Sequence, residues 1–198
     1  MKYITNSDTL IIILHEIYGV NRHILDTANK FKNAGYDSLC PDLLGLDRSF
    51  TYHEQQKAYK HFIEKIGFME AAHQVTALIA HEKNKGYNRI ILCGYSVGAT
   101  VSWLCSQDKN VAGAIGFYGS RIRDYLQITP ACPTLLIFPS HEKAYDVQNF
   151  ADSIKKPNVR VNILEGNHGF ADPFSPEYDR FSSLRTDVLV KNFLENLG

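Results

Sequence analysis

Short apolar runs alternate along this chain with longer segments in which apolar residues recur at helical spacing. The apolar runs, which predict strands buried on both faces, lie at residues 9–14, 36–40, 89–93, 111–118, 134–138 and 159–164. The helical segments lie at about 22–34, 53–85, 98–106, 147–156 and 177–197, with a break in the second near Gly67. This alternation predicts an α/β protein with a single, mostly parallel sheet and helices on both faces.

Local signals refine this prediction at the two ends of the chain. Asn21 is expected to cap the first helix and Gly35 to end it. Residues 2–5 are expected to pair with the run at 9–14 through a turn at 6–8. The last helix places a set of apolar side chains near one face: Phe181, Leu184, Val188, Leu189 and Phe193. No repeat, low-complexity tract or linker is visible, so residues 1–198 are predicted to form one domain.

Composition limits the classes of partner. The chain has 21 Lys and Arg against 21 Asp and Glu, so its net charge is zero, which argues against nucleic acid or an anionic membrane as a partner. No apolar run approaches the roughly 20 residues that span a bilayer, and the first residues lack the layout of a signal peptide. We therefore expect a cytoplasmic protein that is a monomer or small homo-oligomer.

The cysteines and histidines do not suggest a metal centre. Four cysteines (Cys40, Cys93, Cys105 and Cys132) form no C-x-x-C pair and are expected to be reduced, buried thiols. No Cys/His cluster has the spacing of zinc ligands. Neither a metal nor an organic cofactor is expected.

The stretch Gly94–Gly98 reads G-x-S-x-G at the end of a predicted strand and the start of a predicted helix. In that context the motif predicts a nucleophile elbow, a sharp turn that presents the hydroxyl of Ser96 at the edge of the sheet. The flanking glycines are needed because strand and helix backbones approach too closely there for side chains.

A serine nucleophile needs a histidine base and a carboxylate that orients the histidine, in the chain order serine, acid, histidine for this kind of elbow. His168 follows the last predicted strand in a glycine-flanked loop, where that base is expected. The acid is expected after the strand at 134–138, where Glu142 and Asp146 are both candidates. Glu142 is favoured because it lies four residues past the strand, whereas Asp146 is close enough to the next helix to cap it.

Acyl transfer also requires donors for the oxyanion. The backbone N–H of Val97, directly after the nucleophile, is expected to be one donor. The N–H of Ile17, in the loop after the first buried strand, is the candidate for the second. Six other histidines, including His15 and His23, are interpreted as surface or packing residues.

Several segments together resemble the dienelactone hydrolase family, and the resemblance covers nearly the whole chain. It is carried by His15–Asn21 (HEIYGVN), Cys40–Leu43 (CPDL), Ala58–Lys60, Gly116–Gly119 and His168–Ala171. The resemblance implies an α/β-hydrolase without a large cap domain that cleaves an ester or lactone bond. It also places the acid on Glu142 and one oxyanion donor on Ile17.

The resemblance suggests a substrate pocket near Glu16, Tyr59 and Tyr118. In the family, the glutamate matching Glu16 contacts the nucleophile before substrate binds. The alternatives are that Glu16 only accepts backbone N–H groups and that the two tyrosines are core aromatics.

Three departures from the family pattern modify the expected substrate. Ser96 stands where the best-known members have cysteine, which makes general-base help from His168 more necessary. Two arginines that hold the substrate carboxylate would fall near Gln55 and on Asp172, so the clamp for an anion is missing. The sequence therefore predicts a serine hydrolase for a small neutral ester, lactone or thioester. The alternatives are an acyl transferase or thioesterase, an amide hydrolase, or a non-catalytic ligand-binding homologue.

Overall fold

The architecture is that of a computed structural model, which describes residues 1–197. Within them, seven strands form one sheet in the order β1-β3-β2-β4-β5-β6-β7. The strands are β1 (Lys2–Tyr3), β2 (Thr9–Leu14), β3 (Asp37–Leu39), β4 (Arg89–Tyr95), β5 (Val111–Phe117), β6 (Thr134–Pro139) and β7 (Val159–Leu164). The helices are α1 (Arg22–Asn33), α2 (Gln55–His61), α3 (Gly67–Asn84), α4 (Val97–Cys105), α5 (Val147–Ser153) and α6 (Arg180–Glu195).

The helix signals read from the sequence agree with this architecture. Asn21 caps α1, where its side chain accepts a hydrogen bond from the N–H of Ile24. The predicted break near Gly67 is confirmed: a π-helical turn at Phe62–Ile66 separates α2 from α3, and Gly67 has a φ of +74°. The four cysteines are free and buried, as expected. No helix among residues 1–197 combines the length and apolar character needed to cross a bilayer.

All strand pairs are parallel except β1 with β3, and the expected pairing of residues 2–5 with β2 is wrong. Both edges of β2 are occupied, by β3 on one side and β4 on the other, so no edge of β2 is left for β1. The chain instead crosses to β3, where Asp37 accepts hydrogen bonds from the N–H groups of Thr5 and Ser7.

The core lies on both faces of the sheet, which explains the continuous apolar run in β2. Leu10, Ile12 and Leu14 contribute to the core beneath α3 and α4. Ile11 and Ile13 contribute to the core on the opposite face, with α1 and α6. Every side chain in this run is buried because a parallel strand covered by helices on both faces has no solvent-exposed side.

The apolar residues of α6 do not form a single buried face. Phe193 is buried, but Phe181, Leu184 and Val188 are exposed. The residues that α6 buries are mostly small and polar: Ser182, Ser183, Thr186, Phe193 and Leu194. Ser182 donates to the carbonyl of Glu165. The buried side of α6 therefore combines small polar side chains near its start with Phe193 and Leu194 near its end, a mixture that hydrophobic periodicity alone did not predict.

The order of the strands places a crevice at the carboxyl ends of β2 and β4. These strands are neighbours, but the connection after β2 leads to β3 on one side and the connection after β4 leads to β5 on the other. In open α/β sheets, ligands bind where the connections diverge in this way. The predicted elbow follows β4, and the loop that contains Ile17 follows β2, so both lie at this crevice.

The elbow packs directly against the end of β2. A Cβ atom on Gly94 would lie 2.1 Å from the carbonyl oxygen of Gly98. A Cβ atom on Gly98 would lie 2.2 Å from the carbonyl oxygen of Leu14 and 2.6 Å from that of His15. Both obstacles are backbone atoms, which cannot rotate away as a side chain does. The two glycines of the motif are therefore required by backbone contact.

We expect Gly98→Ala to destabilise the protein by about 3 kcal/mol or more, because the methyl group forces β2 and α4 apart. Gly113→Ala is the matched control, since its added Cβ meets the end of the Leu197 side chain, which can move. Urea unfolding followed by circular dichroism measures both free energies of unfolding. Equal stability of the two variants would contradict the backbone-contact explanation.

Candidate active site

Ser96 stands alone between β4 and α4 in a strained backbone conformation. Its φ is +53° and its ψ is −111°, a combination that residues with a side chain rarely adopt. The Ser96 N–H donates to the carbonyl of Phe117 on β5, 2.9 Å away, which holds the turn against the sheet. The sharp turn points the hydroxyl away from the sheet and toward the loops that follow β6 and β7.

Three side chains from three different loops form a continuous hydrogen-bonded chain. The Ser96 Oγ atom lies 2.9 Å from Nε2 of His168, and Nδ1 of His168 lies 2.6 Å from Oε1 of Glu142. Glu142 is nearly buried, at 9% side-chain exposure, whereas 37% of the His168 side chain is exposed. A substrate can therefore approach Ser96 and His168 from solvent, while the carboxylate behind the ring is shielded from water.

The loops that carry Glu142 and His168 are bonded to one another through their backbones. The N–H of Ser140 donates to the carbonyl of Leu164, and the N–H of His141 donates to the carbonyl of Gly166. Asp146, the other candidate for the acid, caps α5 by accepting a hydrogen bond from the N–H of Asn149. The structure thus brings Glu142 to His168 and assigns Asp146 to the helix end.

The surroundings of His168 act on its pKa in opposite directions. Burial of the ring lowers the pKa, but the hydrogen bond and charge of Glu142, with a smaller contribution from Glu16, raise it above the ordinary value. A carboxylate on Nδ1 also fixes the tautomer, which leaves the Nε2 lone pair facing the Ser96 hydroxyl. The imidazole is arranged to accept a proton from Ser96 and to be stabilised once it is charged.

Two backbone N–H groups, one in the loop after β2 and one at the start of α4, have no acceptor among residues 1–197. They belong to Val97 and Ile17, the two residues expected from the sequence to bind an oxyanion. Val97 is the first residue of α4, where N–H groups have no partner within the helix. Ile17 lies in the loop after β2, which the contact at Gly98 holds against the elbow.

Glu16 is buried near His168 with its Oε1 atom unpaired in the described part of the chain. Burial, followed by the negative charge of Asp172, raises the pKa of Glu16 to about 7. The hydroxyl of Ser96 is bonded to His168, and no hydrogen bond joins it to Glu16 in residues 1–197. The contact with the nucleophile that the resemblance implied for Glu16 is therefore not a hydrogen bond in this structure.

Asp172 forms a second buried acidic group beside Glu16. It accepts a short hydrogen bond from the hydroxyl of Tyr52 and another from the N–H of Phe174. Polar atoms of Glu16, His23 and Asp172 lie within 4.8 Å of one another, close enough to be metal ligands. Sequence spacing could not reveal this cluster, because its members come from three separate segments. Both oxygens of Asp172 accept hydrogen bonds, whereas Oε1 of Glu16 and Nε2 of His23 have no hydrogen-bond partner among residues 1–197.

The remaining pocket candidates differ in their distance from the hydrogen-bonded chain. The Tyr118 ring is buried, with its centroid 4.9 Å from that of His168, so it supports the imidazole. Tyr59 is exposed on α2, and no hydrogen bond or ring pair within residues 1–197 joins it to Ser96, Glu142 or His168. Tyr52, which the sequence did not single out, contacts the site more directly through Asp172.

A profile of the dienelactone hydrolase family matches residues 3–197. The chain belongs to the dienelactone hydrolase family. This confirms the resemblance inferred from short segments, and it places the protein among enzymes that hydrolyse esters or lactones.

Individual relatives of this dienelactone hydrolase family member agree with the assignment. The chain is 37% identical over 190 residues to the uncharacterized protein YczH of Bacillus subtilis (strain 168), covering 94% of this chain and 93% of that protein. It is 23% identical over 194 residues to carboxymethylenebutenolidase 1 of Cupriavidus pinatubonensis, covering 90% and 82%. The crystal structure of a putative dienelactone hydrolase from Klebsiella pneumoniae has the same fold, with a TM-score of 0.79, 16% identity and coverage of 96% and 89%. The predicted α/β-hydrolase fold is confirmed.

We expect Glu142→Gln to lower the pKa of His168, because the neutral amide no longer stabilises the charged imidazole. The measurement is an NMR titration of the His168 ring in each protein. Asp146→Asn is the control: it changes an acid in the same loop that caps α5, and it should leave the His168 titration unchanged. Identical His168 titrations in wild type and Glu142→Gln would show that Glu142 is not its charge partner.

Proposed function

We propose that this protein is a serine hydrolase that cleaves esters or lactones of small, uncharged molecules through an acyl-enzyme intermediate. The observation that carries the proposal is the hydrogen-bonded chain from Ser96 through His168 to Glu142. This arrangement of hydroxyl, imidazole and carboxylate generates an activated serine in many unrelated enzymes.

In the acylation step, the Ser96 oxygen attacks the substrate carbonyl carbon while Nε2 of His168 takes the hydroxyl proton. Glu142 stabilises the imidazolium that forms. The carbonyl oxygen becomes an oxyanion, and the N–H groups of Val97 and Ile17 bind it. His168 then returns the proton to the leaving alcohol oxygen as the carbon–oxygen bond breaks.

In the deacylation step, His168 removes a proton from water, and the water oxygen attacks the acyl carbon. The same two N–H groups bind the second oxyanion. Its collapse releases the carboxylic acid and returns the proton to Ser96. For a lactone, the acid and the alcohol leave as one molecule. The residues described supply every proton transfer in this cycle.

The charge around the site favours an uncharged substrate. The charge of Glu16 acts on His168, and Asp172 is clustered with Glu16. Gln55, near which a substrate-binding arginine of the family would fall, is a neutral residue at the start of α2. Buried acids repel a carboxylate placed near them, and water screens them poorly. A neutral ester meets no such penalty.

Ser96→Ala should lower kcat by about 10⁴-fold or more, because the nucleophile is lost. A fluorophosphonate probe should add one adduct to the wild type, mapped by mass spectrometry to Ser96, and none to the variant. Ser102→Ala is the matched control, since this buried serine on α4 makes no hydrogen bond among residues 1–197. A folded wild type that forms no adduct and hydrolyses no ester would refute the proposal.

The preference for neutral substrates can be tested with two aryl acetates of nearly equal shape. We expect kcat/KM for 4-carboxyphenyl acetate to be about tenfold lower than for its neutral amide, 4-carbamoylphenyl acetate, because of the buried acids. Asp172→Asn should reduce this difference, whereas Asp152→Asn, on the exposed side of α5, should not. A wild type that hydrolyses both esters equally would show that the acids do not select substrate charge.

A further inference from the structure

His15 links the end of β2 to a second loop through both of its ring nitrogens. The side chain is completely buried. Its Nδ1 atom lies 2.6 Å from the carbonyl oxygen of Glu16, and its Nε2 atom lies 2.9 Å from the backbone nitrogen of Leu43. From the sequence alone, this histidine is interpreted as a surface or packing residue.

The partners of the ring decide where its proton lies. The N–H of Leu43 can only donate, so Nε2 must accept, and the proton of the neutral ring is on Nδ1. Nδ1–H therefore donates to the carbonyl of Glu16. Burial lowers the pKa of His15, which keeps the ring in this neutral form. The Asp42 carboxylate, 3.8 Å from Nε2, is already bonded to the N–H groups of Leu44 and Leu46.

The carbonyl of Glu16 and the N–H of Ile17 belong to one peptide group. The described chain has no cis peptide bond, so these two groups point in opposite directions from the same plane. A donor that fixes the carbonyl therefore fixes the direction of the N–H. The N–H of Gly19 donates to the same carbonyl at 3.3 Å, which closes a turn over residues 16–19. A hydrogen bond to the carbonyl also polarises the peptide and makes its N–H a stronger donor.

The residues just before this peptide contact the elbow. The backbone of Gly98 approaches the carbonyls of Leu14 and His15 so closely that a Cβ atom on Gly98 would lie 2.2 Å and 2.6 Å from them. The loop that begins at His15 therefore starts in contact with the turn that carries Ser96. The N–H of Ile17 has no acceptor among residues 1–197, although the carbonyl of its own peptide has two donors.

We propose that His15 is a positioning residue that holds the Glu16–Ile17 peptide with its N–H directed at the oxyanion. This inference rests on the proposed function and adds to it a residue that acts through the peptide, without touching substrate. His15 also makes the position of the oxyanion donor depend on the loop at Leu43, which a packing residue would not do.

The experiment compares His15→Leu, which fills similar space without hydrogen bonds, with His15→Gln, whose amide can donate to one carbonyl and accept from one N–H. With 4-nitrophenyl acetate, we expect kcat of His15→Leu to fall about 10- to 100-fold with little change in KM, since the lost interaction acts in the transition state. His15→Gln should stay within about fivefold of wild type. Rates are expressed per active serine, counted from the end point of fluorophosphonate labelling.

Thr134→Val is the matched control, because it removes a buried hydrogen bond at the opposite end of the sheet. It should lower stability without changing kcat per active serine. If His15→Leu does not fold, His15→Met replaces it, since its side chain fills the space without donating to the Glu16 carbonyl and should show the same loss of kcat.

Wild-type kcat in His15→Leu or His15→Met, or an equal loss in His15→Gln and His15→Leu, would overturn the role of His15 and leave the proposed function standing. A wild type without labelling or turnover would overturn both.

Discussion

The contact between the elbow and the end of β2 is the constraint on which the site depends. Gly98 can approach the carbonyls of Leu14 and His15 only because it has no side chain. That approach places the nucleophile, which follows β4, beside the loop that follows β2. The two N–H groups proposed to bind the oxyanion, those of Val97 and Ile17, belong to the two segments that this contact joins. Because the interacting atoms are backbone atoms, the geometry persists whatever side chains cover the two faces of the sheet.

A second constraint acts at the other side of Ser96, where the acid and the base must meet. The loops after β6 and β7 are adjacent and bonded to each other through Ser140, His141 and Gly166. Neighbouring parallel strands deliver these loops to the same edge of the sheet, so Glu142 and His168 need no further element to bring them together. The buried ring of Tyr118 packs against the imidazole of His168. The rigid sheet therefore determines the order and spacing of the groups that the proposed chemistry requires.

Features with a local physical cause could be predicted from the sequence, and features set by distant contacts could not. The elbow, the cap at Asn21 and the break near Gly67 follow from conformations that particular residues demand within a few positions. The pairing of β1 depends on which edges of β2 are free, which is a property of the whole sheet. The buried side of α6 includes small polar residues such as Ser182, which donates to the carbonyl of Glu165. Periodicity does not contain that information.

The same distinction separates the two kinds of histidine in this site. His168 could be proposed as the base from the sequence, because a histidine in a glycine-flanked loop after the last strand is a local pattern typical of that role. The role of His15 could not be identified in this way, because it depends on hydrogen bonds of one ring to the carbonyl of the next residue and to an N–H from another loop. A buried histidine that uses both nitrogens on backbone groups cannot serve as a proton acceptor without breaking a bond. Its chemical contribution must therefore come through the peptide that it holds, and that peptide carries the N–H of Ile17.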